Sequence, residues 1–189
     1  MYVFMERGKI IFLNGVSSAG KSTLTKSLQE KLTEPYCWLS VDNFLSTIHE
    51  KFFNSEYRAS LSQALRAMHH TIKLFSDMGL NVIVDHVLEK QKWLDECVEI
   101  LYEYPVLFVH VTCPLEELRR REKERGDRQI GQAETQLSLL NPKDNTYDIT
   151  VDTFSNSKEA CADKIVELLN YPEKHTAFRT IWTIYTKLC

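Results

Sequence analysis

Lys9-Ile-Ile-Phe-Leu-Asn-Gly15-Val-Ser-Ser-Ala-Gly20-Lys21-Ser22 begins as a short continuous apolar run and ends in the pattern G-x-x-x-x-G-K-[ST]. An uninterrupted apolar run of this length reads as a strand buried on both faces, and hence as part of a parallel sheet. From Lys21 onward the apolar residues fall at Leu24, Leu28 and Leu32, one stripe of a helix that stops before Pro35. Strand, glycine-bearing loop and helix, in that order, are the setting in which this pattern builds a phosphate-binding loop.

The chemistry explains the spacing. Glycines let the backbone wrap closely round a polyphosphate and present successive N–H donors at the positive end of the following helix. The chain has only six glycines and places two of them here. Gly15, Val16, Ser17, Ser18, Ala19, Gly20, Lys21, Ser22 and Thr23 are therefore the candidate nucleotide-binding residues. Lys21 adds a point charge toward the β- and γ-phosphates, and Ser22 offers its hydroxyl to Mg²⁺.

Outward from this segment the alternation repeats. Strands are expected at Cys37 to Val41, Leu80 to Val84, Val106 to Val111 and, nearer an edge, Tyr147 to Val151. Helical patterning runs from about Leu61 to Met78 and from Gln91 to Tyr102, Pro114 opens another helix, and Asn156 with Glu159 caps one reaching Leu169. Five strands alternating with helices predict an α/β fold: a doubly wound, five-stranded parallel sheet with helices on both faces. Residues 1–170 are expected to form one domain. Residues 171–189 read as a helical appendage whose Phe178, Trp182 and Tyr185 pack on the same domain, a homodimer contact being the alternative.

Composition narrows the function. The 189 residues, 43% hydrophobic and 26% charged, suit one ordinary globular domain, and 23 Lys and Arg against 26 Asp and Glu give a net charge of −3. That balance lacks the broad positive field of a duplex-binding protein, so no nucleic-acid partner is expected. Five cysteines without a C-x-x-C pair suit a reducing, cytoplasmic setting. No run of ~18 apolar residues occurs, so no membrane partner is expected either.

Two aspartates follow apolar strands directly, Val41-Asp42 and Val84-Asp85. In an open parallel sheet, ligands sit beyond the carboxyl ends of the strands, so both side chains approach the phosphate loop. One such carboxylate can hold the water shell of Mg²⁺ and the other can accept the proton of an attacking hydroxyl. A GTPase switch is excluded: Asp85-His-Val-Leu88 lacks the glycine of D-x-x-G, and Asn141-Pro-Lys-Asp144 has its lysine misplaced for N-K-x-D. Six cations lie between Arg119 and Arg128, interspersed with Glu116, Glu117, Glu122 and Glu124. Arg119 to Lys123 read as a solvated helix face with i,i+4 pairs. Gly126 breaks the helix and leaves Arg125 and Arg128 on a segment suited to close over a transferring phosphoryl group. His86, beside Asp85, is the histidine placed to face substrate.

Ile11-Phe-Leu-Asn-Gly-Val-Ser-Ser-Ala-Gly-Lys-Ser22, Val41-Asp42, Val84-Asp85-His-Val87 and Arg125-Gly-Asp-Arg128, in this order and spacing, resemble the chloramphenicol phosphotransferase family, as does Tyr147-Asp-Ile-Thr-Val-Asp-Thr153. The resemblance runs from about Lys9 to Leu169. It implies a P-loop kinase-like, adenylate-kinase-like sheet with a short lid, residues 1–170 as the phosphotransferase domain with that lid at about 119–131, ATP with Mg²⁺, and a small-molecule hydroxyl as acceptor. Asp42 matches the family's proposed base, with Asp85 then read beside Ser22 at Mg²⁺. Arg125 and Arg128 match the lid, and the loop near Thr153 matches the border of the adenine site. The acceptor pocket corresponds to Phe44 to Ser60, aromatic and polar here (Phe44, His49, Phe52, Phe53, Tyr57, Arg58), and His86 stands where an acid would match the family more closely. A nucleotide, nucleotide-sugar or metabolite kinase of the same core, and a regulatory protein that hydrolyses ATP slowly, are the competing readings.

Overall fold

Every residue of β1 (Ile10–Asn14) is buried because β1 is the middle strand of the sheet. This is seen in a computed structural model that describes residues 6–52, 57–126, 130–142 and 146–187, without the side chain of Arg58. β1 pairs in parallel with β3 (Asn81–His86) on one side and with β4 (Val106–Thr112) on the other. β2 (Tyr36–Ser40) and β5 (Ile149–Asp152) complete a five-stranded parallel sheet of order β2-β3-β1-β4-β5. The predicted fold class is the one observed.

Alternation along β1 divides its side chains between two cores. Ile11 and Leu13 face Leu24 and Leu28 of α1 (Lys21–Lys31) and Cys161, Ala162 and Ile165 of α7 (Lys158–Leu169). Ile10 and Phe12 face Met68 and Ile72 of α3 (Arg58–Asp77), Leu94 and Val98 of α4 (Gln91–Leu101), and Phe178 and Ile181 of α8 (Ala177–Lys187). With both faces covered, β1 has no polar position until Asn14, which is the physical reason its sequence reads as an unbroken apolar run. Burying a side chain the size of Phe12, which is fully enclosed, is worth roughly 1.5–3 kcal/mol.

Several boundaries differ from expectation. β2 ends at Ser40, because the Ser40 hydroxyl accepts from the Asn43 amide at 3.0 Å and caps a short helix, α2 (Val41–Leu45). β3 runs on through Asp85 and His86. The cap of α7 is Ser157, whose hydroxyl accepts from the Ala160 amide at 3.2 Å, and not Asn156, whose side-chain amide donates to the Asp152 carbonyl. α5 (Leu115–Arg125) ends where Gly126 adopts φ 70°, and α6 (Gln132–Leu139), which the sequence pattern did not announce, follows it.

The C-terminal helix is tied to the sheet by Asp148. Its carboxylate accepts from the Thr176 and Ala177 amides at the start of α8 and from the Phe108 amide of β4. The aromatic stripe of α8 lies on α4 and the core of this chain: Trp182 stacks on Tyr102 at 4.5 Å, and the Tyr185 hydroxyl receives a bond from Gln91. Among the described residues no helix is long and apolar enough to cross a membrane.

Candidate active site

The loop after β1 is shaped by steric need. A Cβ on Gly15 would lie 2.4 Å from the Val111 carbonyl oxygen of β4, so only glycine fits between the two strands. Ser18 and Gly20 have φ of 61° and 92°, the left-handed backbone that curls the chain back toward α1. Val16 and Ala19 are buried and anchor the curl. The first bond of α1 runs from the Leu24 amide to the Gly20 carbonyl, which leaves the amides of Lys21, Ser22 and Thr23 outside the helix's own ladder. The Ser18 hydroxyl is buried with no partner among the described residues, an orphan donor inside a loop whose sequence predicts phosphate binding.

Lys21 is buried, and its ammonium donates to the carbonyls of Gly15 at 2.8 Å and Val16 at 3.0 Å. It also lies 3.6 Å from Asp85 at the end of β3. The other Asp85 oxygen accepts from the Ser22 hydroxyl at 2.8 Å. Register explains the meeting: β1 and β3 align Leu13 with Asp85, so the β3 carboxylate emerges beside the loop that β1 opens. Ser22 and Asp85 supply hard oxygen donors, the type Mg²⁺ takes with phosphate oxygens and water. Among the described residues no cluster of three or more His, Cys, Asp or Glu could hold a metal.

β2 and β3 align Ser40 with Asp85, so Asp42 lies one strand farther out, in the first turn of α2. Asp42, Asp85, Lys21 and Ser22 all line one cavity of about 1140 Å³. Residues that follow β4 and β5, among them Arg121 and Thr153, line it on one side of the phosphate loop. Residues that follow β2 and β3, among them Leu45, Leu65 and Trp93, line it on the other.

The arginine-rich helix divides differently from its sequence reading. Arg119 pairs with Glu116 and Glu134, and Arg120 with Glu117 and Glu124, on an exposed face as expected. Arg121 does not belong to that solvated face. It donates to the Thr153 hydroxyl at 3.1 Å and the Thr153 carbonyl at 3.0 Å, reaches the Ser18 carbonyl at 3.4 Å, and is held by Glu117 at 2.7 Å. The Thr153 hydroxyl in turn donates to the Ala19 carbonyl at 2.7 Å, so the loop after β5 is bonded directly to the phosphate loop. Glu122 is likewise not a solvated partner: it is buried and accepts from the Gly131 and Ala133 amides, capping α6 from a distance. Arg125, the last residue of α5, lines the cavity. Arg128 lies outside the described residues, as does Phe53 of the expected acceptor segment.

Thr23 is exposed at the cavity wall. Phe44 packs against the core that contains Phe12 and is not among the cavity-lining residues, because α2 turns its Asp42 and Leu45 to the cavity. His86 lines the cavity but is almost fully buried, and burial pushes its pKa down to about 3, leaving the ring neutral near pH 7. One lining residue gave no signal in the sequence at all. Gln136 of α6 is buried, accepts from the Ser17 amide at 2.7 Å and donates to Glu89 at 3.2 Å, thereby docking α6 on the phosphate loop. For Arg121 a signal existed: Glu117, Arg121 and Arg125 recur at spacing four and so share one helix face.

The family model described as chloramphenicol phosphotransferase-like protein matches residues 8–170. A candidate O-phosphotransferase of Mycobacterium tuberculosis is 28% identical over 187 residues, covering 86% of this chain and 83% of that protein. An adenylyl-sulfate kinase of Clostridium acetobutylicum is 26% identical over 173 residues, covering 87% and 84%. The structure of the Mycobacterium tuberculosis APS kinase in complex with AMPPNP and APS superposes with a TM-score of 0.66 at 22% identity, covering 87% of this chain and 98% of that one. That likeness establishes the shared fold.

Proposed function

The chain belongs to the chloramphenicol phosphotransferase-like family, and on that premise we propose that it transfers the γ-phosphate of ATP to a hydroxyl group of a small molecule. One arrangement carries the reading: a phosphate loop and two strand-end carboxylates open into a single cavity that continues past them to Leu65 and Trp93. At about 1140 Å³ the cavity exceeds the ~300–1,000 Å³ typical of a site for one small ligand. A nucleotide on the phosphate loop leaves space on the β2–β3 side for a second molecule.

Each residue then has a task. The backbone amides at the start of α1 and the Lys21 ammonium bind the phosphates, and Arg121 and Thr153 fix the loop beside them. Ser22 and Asp85 are the residues that would hold Mg²⁺. When bound, the ion neutralises charge on the β- and γ-phosphate oxygens. Asp42 faces the acceptor: its carboxylate takes the hydroxyl proton as the acceptor oxygen bonds to the γ-phosphorus and the bond from that phosphorus to ADP breaks. Arg125, at the end of α5, lies where a guanidinium stabilises charge on the group in transit.

A nucleotide acceptor is the second reading, favoured by Lys90 and Lys92 on the β3 side of the cavity, since such a molecule brings its own anionic group. The deciding measurement is ADP release in the presence and absence of a panel of hydroxyl compounds, nucleotides included. Strong stimulation by an acceptor, lost on chelation of Mg²⁺, is the expected result. Slow ADP release that no acceptor changes would return a regulatory ATP-binding protein to first place.

Arg121 supports nucleotide and not acceptor, so Arg121→Ala should raise the KM for ATP by roughly tenfold, the scale of two or three lost hydrogen bonds offset by solvent. Its kcat should stay within about threefold, because Arg121 acts through Thr153 and the Ser18 carbonyl and is not itself a donor to the group in transit. Steady-state kinetics with ATP varied at saturating acceptor make the check.

A further inference from the structure

The face that α6 buries holds Ala133, Gln136 and, one turn on, Leu140. A glutamine among apolar residues is costly unless both ends of its carboxamide are paired. In Gln136 both are: its oxygen accepts from the Ser17 amide at 2.7 Å, and its nitrogen donates to Glu89 at 3.2 Å. No other orientation of the carboxamide satisfies both, since the backbone N–H only donates and the carboxylate only accepts. The turn that follows is pinned to the segment after β3. There the Asn141 amide donates to the Leu88 carbonyl at 2.8 Å, and Asn14, the last residue of β1, bonds both the Asn141 carbonyl and the Leu88 amide. The fold thereby holds Gln136 against the phosphate loop.

The Ser17 amide shares a peptide unit with the Val16 carbonyl, and that carbonyl accepts from the Lys21 ammonium at 3.0 Å and, more weakly, from the Ala19 amide at 3.3 Å. The unit is gripped at its two ends, by Gln136 on the N–H and by Lys21 on the oxygen. Turning it over would aim the N–H at the ammonium and the carbonyl away from it. Ser17 is 8% exposed, so its N–H depends on a partner within the protein or the cavity. With Gln136 in place the N–H is satisfied where it is. Without Gln136 a buried donor would be left unpaired and would gain by turning toward an anion in the cavity. A bond accepted from the N–H also polarises the peptide and strengthens the hold of its carbonyl on Lys21.

We propose that Gln136 is a positioning residue for the phosphates of ATP: it sets the place of the Lys21 ammonium through the Val16–Ser17 peptide, and Glu89 orients its carboxamide. The inference rests on the phosphotransferase reading and deepens it. The Ser17 amide is committed to the protein, and the phosphates are left to the Lys21 ammonium and to the amides of Lys21, Ser22 and Thr23. Two cations of the site are also joined by this arrangement. Glu122 accepts from the Gly131 and Ala133 amides at the start of α6, which fastens the helix that sets Lys21 to the helix that ends in Arg125.

A double-mutant cycle on the full chain, read by equilibrium titration with MgAMPPNP, tests this without any acceptor. Gln136→Leu, similar in volume, should raise the dissociation constant roughly tenfold, the scale of one buried donor left unpaired. In a Lys21→Ala background the same substitution should change it by about twofold or less, because the group it acts through is gone. Losses that add would make Gln136 a structural residue of the loop, and no loss in the natural background would make it a bystander. Either result overturns the inference and leaves phosphotransfer standing. Amide hydrogen exchange on the natural chain gives a second measurement that needs no variant to fold. The Ser17 amide should be protected alike with and without MgAMPPNP, while the amides of Lys21, Ser22 and Thr23 gain protection when it binds. A Ser17 amide that gains protection with them belongs to the phosphates, which overturns the inference. MgAMPPNP affinity unchanged in folded Lys21→Ala overturns the phosphate-loop assignment instead, and the phosphotransferase reading with it.

Discussion

Asp42→Asn is expected to lower the rate of phosphoryl transfer by roughly 10²-fold or more, the contribution of a positioned general base, while MgATP affinity stays within a few-fold. The asymmetry follows from placement. Asp42 belongs to α2, reached through β2 at the edge of the sheet, whereas the loop that grips phosphate rises from the central strand. Asparagine has nearly the same shape and still hydrogen-bonds, and Ser40 continues to cap the helix, so the site is preserved and only the capacity to take a proton is lost. Single-turnover transfer and equilibrium nucleotide titration, run on the same preparation, separate the two effects. Wild-type turnover by the variant would refute the role. A changed Mg²⁺ requirement in Asp42→Asn, with none in Asp85→Asn, would exchange the roles of the two carboxylates.

The parts of this site that were legible in the sequence are those imposed by backbone and register. Asn14-Gly15 after an apolar strand and Gly20-Lys21 before an amphipathic helix leave few other structures open, and an aspartate directly after a buried strand must emerge at the carboxyl edge of the sheet. The meeting of Ser22 with Asp85 follows from those two facts and from the adjacency of β1 and β3. Tertiary placement was not legible. Charge pairing does not distinguish Arg121 from Arg119 or Arg120, for all three lie within reach of glutamates on one helix, and its spacing of four from Glu117 and Arg125 gives only the face they share. Only the arrival of the β5 loop assigns Arg121 to Thr153. Gln136 is an ordinary helical residue until α6 folds back on the phosphate loop, which depends on Glu122 capping a helix that begins after a chain break in periodicity. Phe44 illustrates the opposite error: an aromatic next to a catalytic candidate attracts a substrate role, yet a five-residue helix has only one face for the cavity, and Phe44 is on the other.

Lys21→Ala should cost roughly 10²- to 10³-fold in kcat/KM, the scale of losing one preorganised donor from a water-poor site, and unlike Asp42→Asn it should damage binding and turnover together. Lys21 is seated by the protein's own groups: two loop carbonyls hold its ammonium at 2.8 and 3.0 Å, and Asp85 lies 3.6 Å away. A charge preorganised in this way meets the phosphates in the ground state and again as negative charge shifts toward the leaving oxygen, so KM should rise while kcat falls. Arginine should not restore the function, since a planar guanidinium cannot reproduce three contacts made by a compact ammonium in a buried niche. The buried Asp85 keeps the Ser22 hydroxyl as a donor in the alanine variant, so the protein is expected to fold with a lower melting temperature, which thermal unfolding without nucleotide will record. If titration finds MgATP affinity unchanged and transfer survives in a variant that remains folded, the loop from Gly15 to Ser22 is not where the phosphates bind, and the assignments of Ser22 and Asp85 that depend on it fall as well.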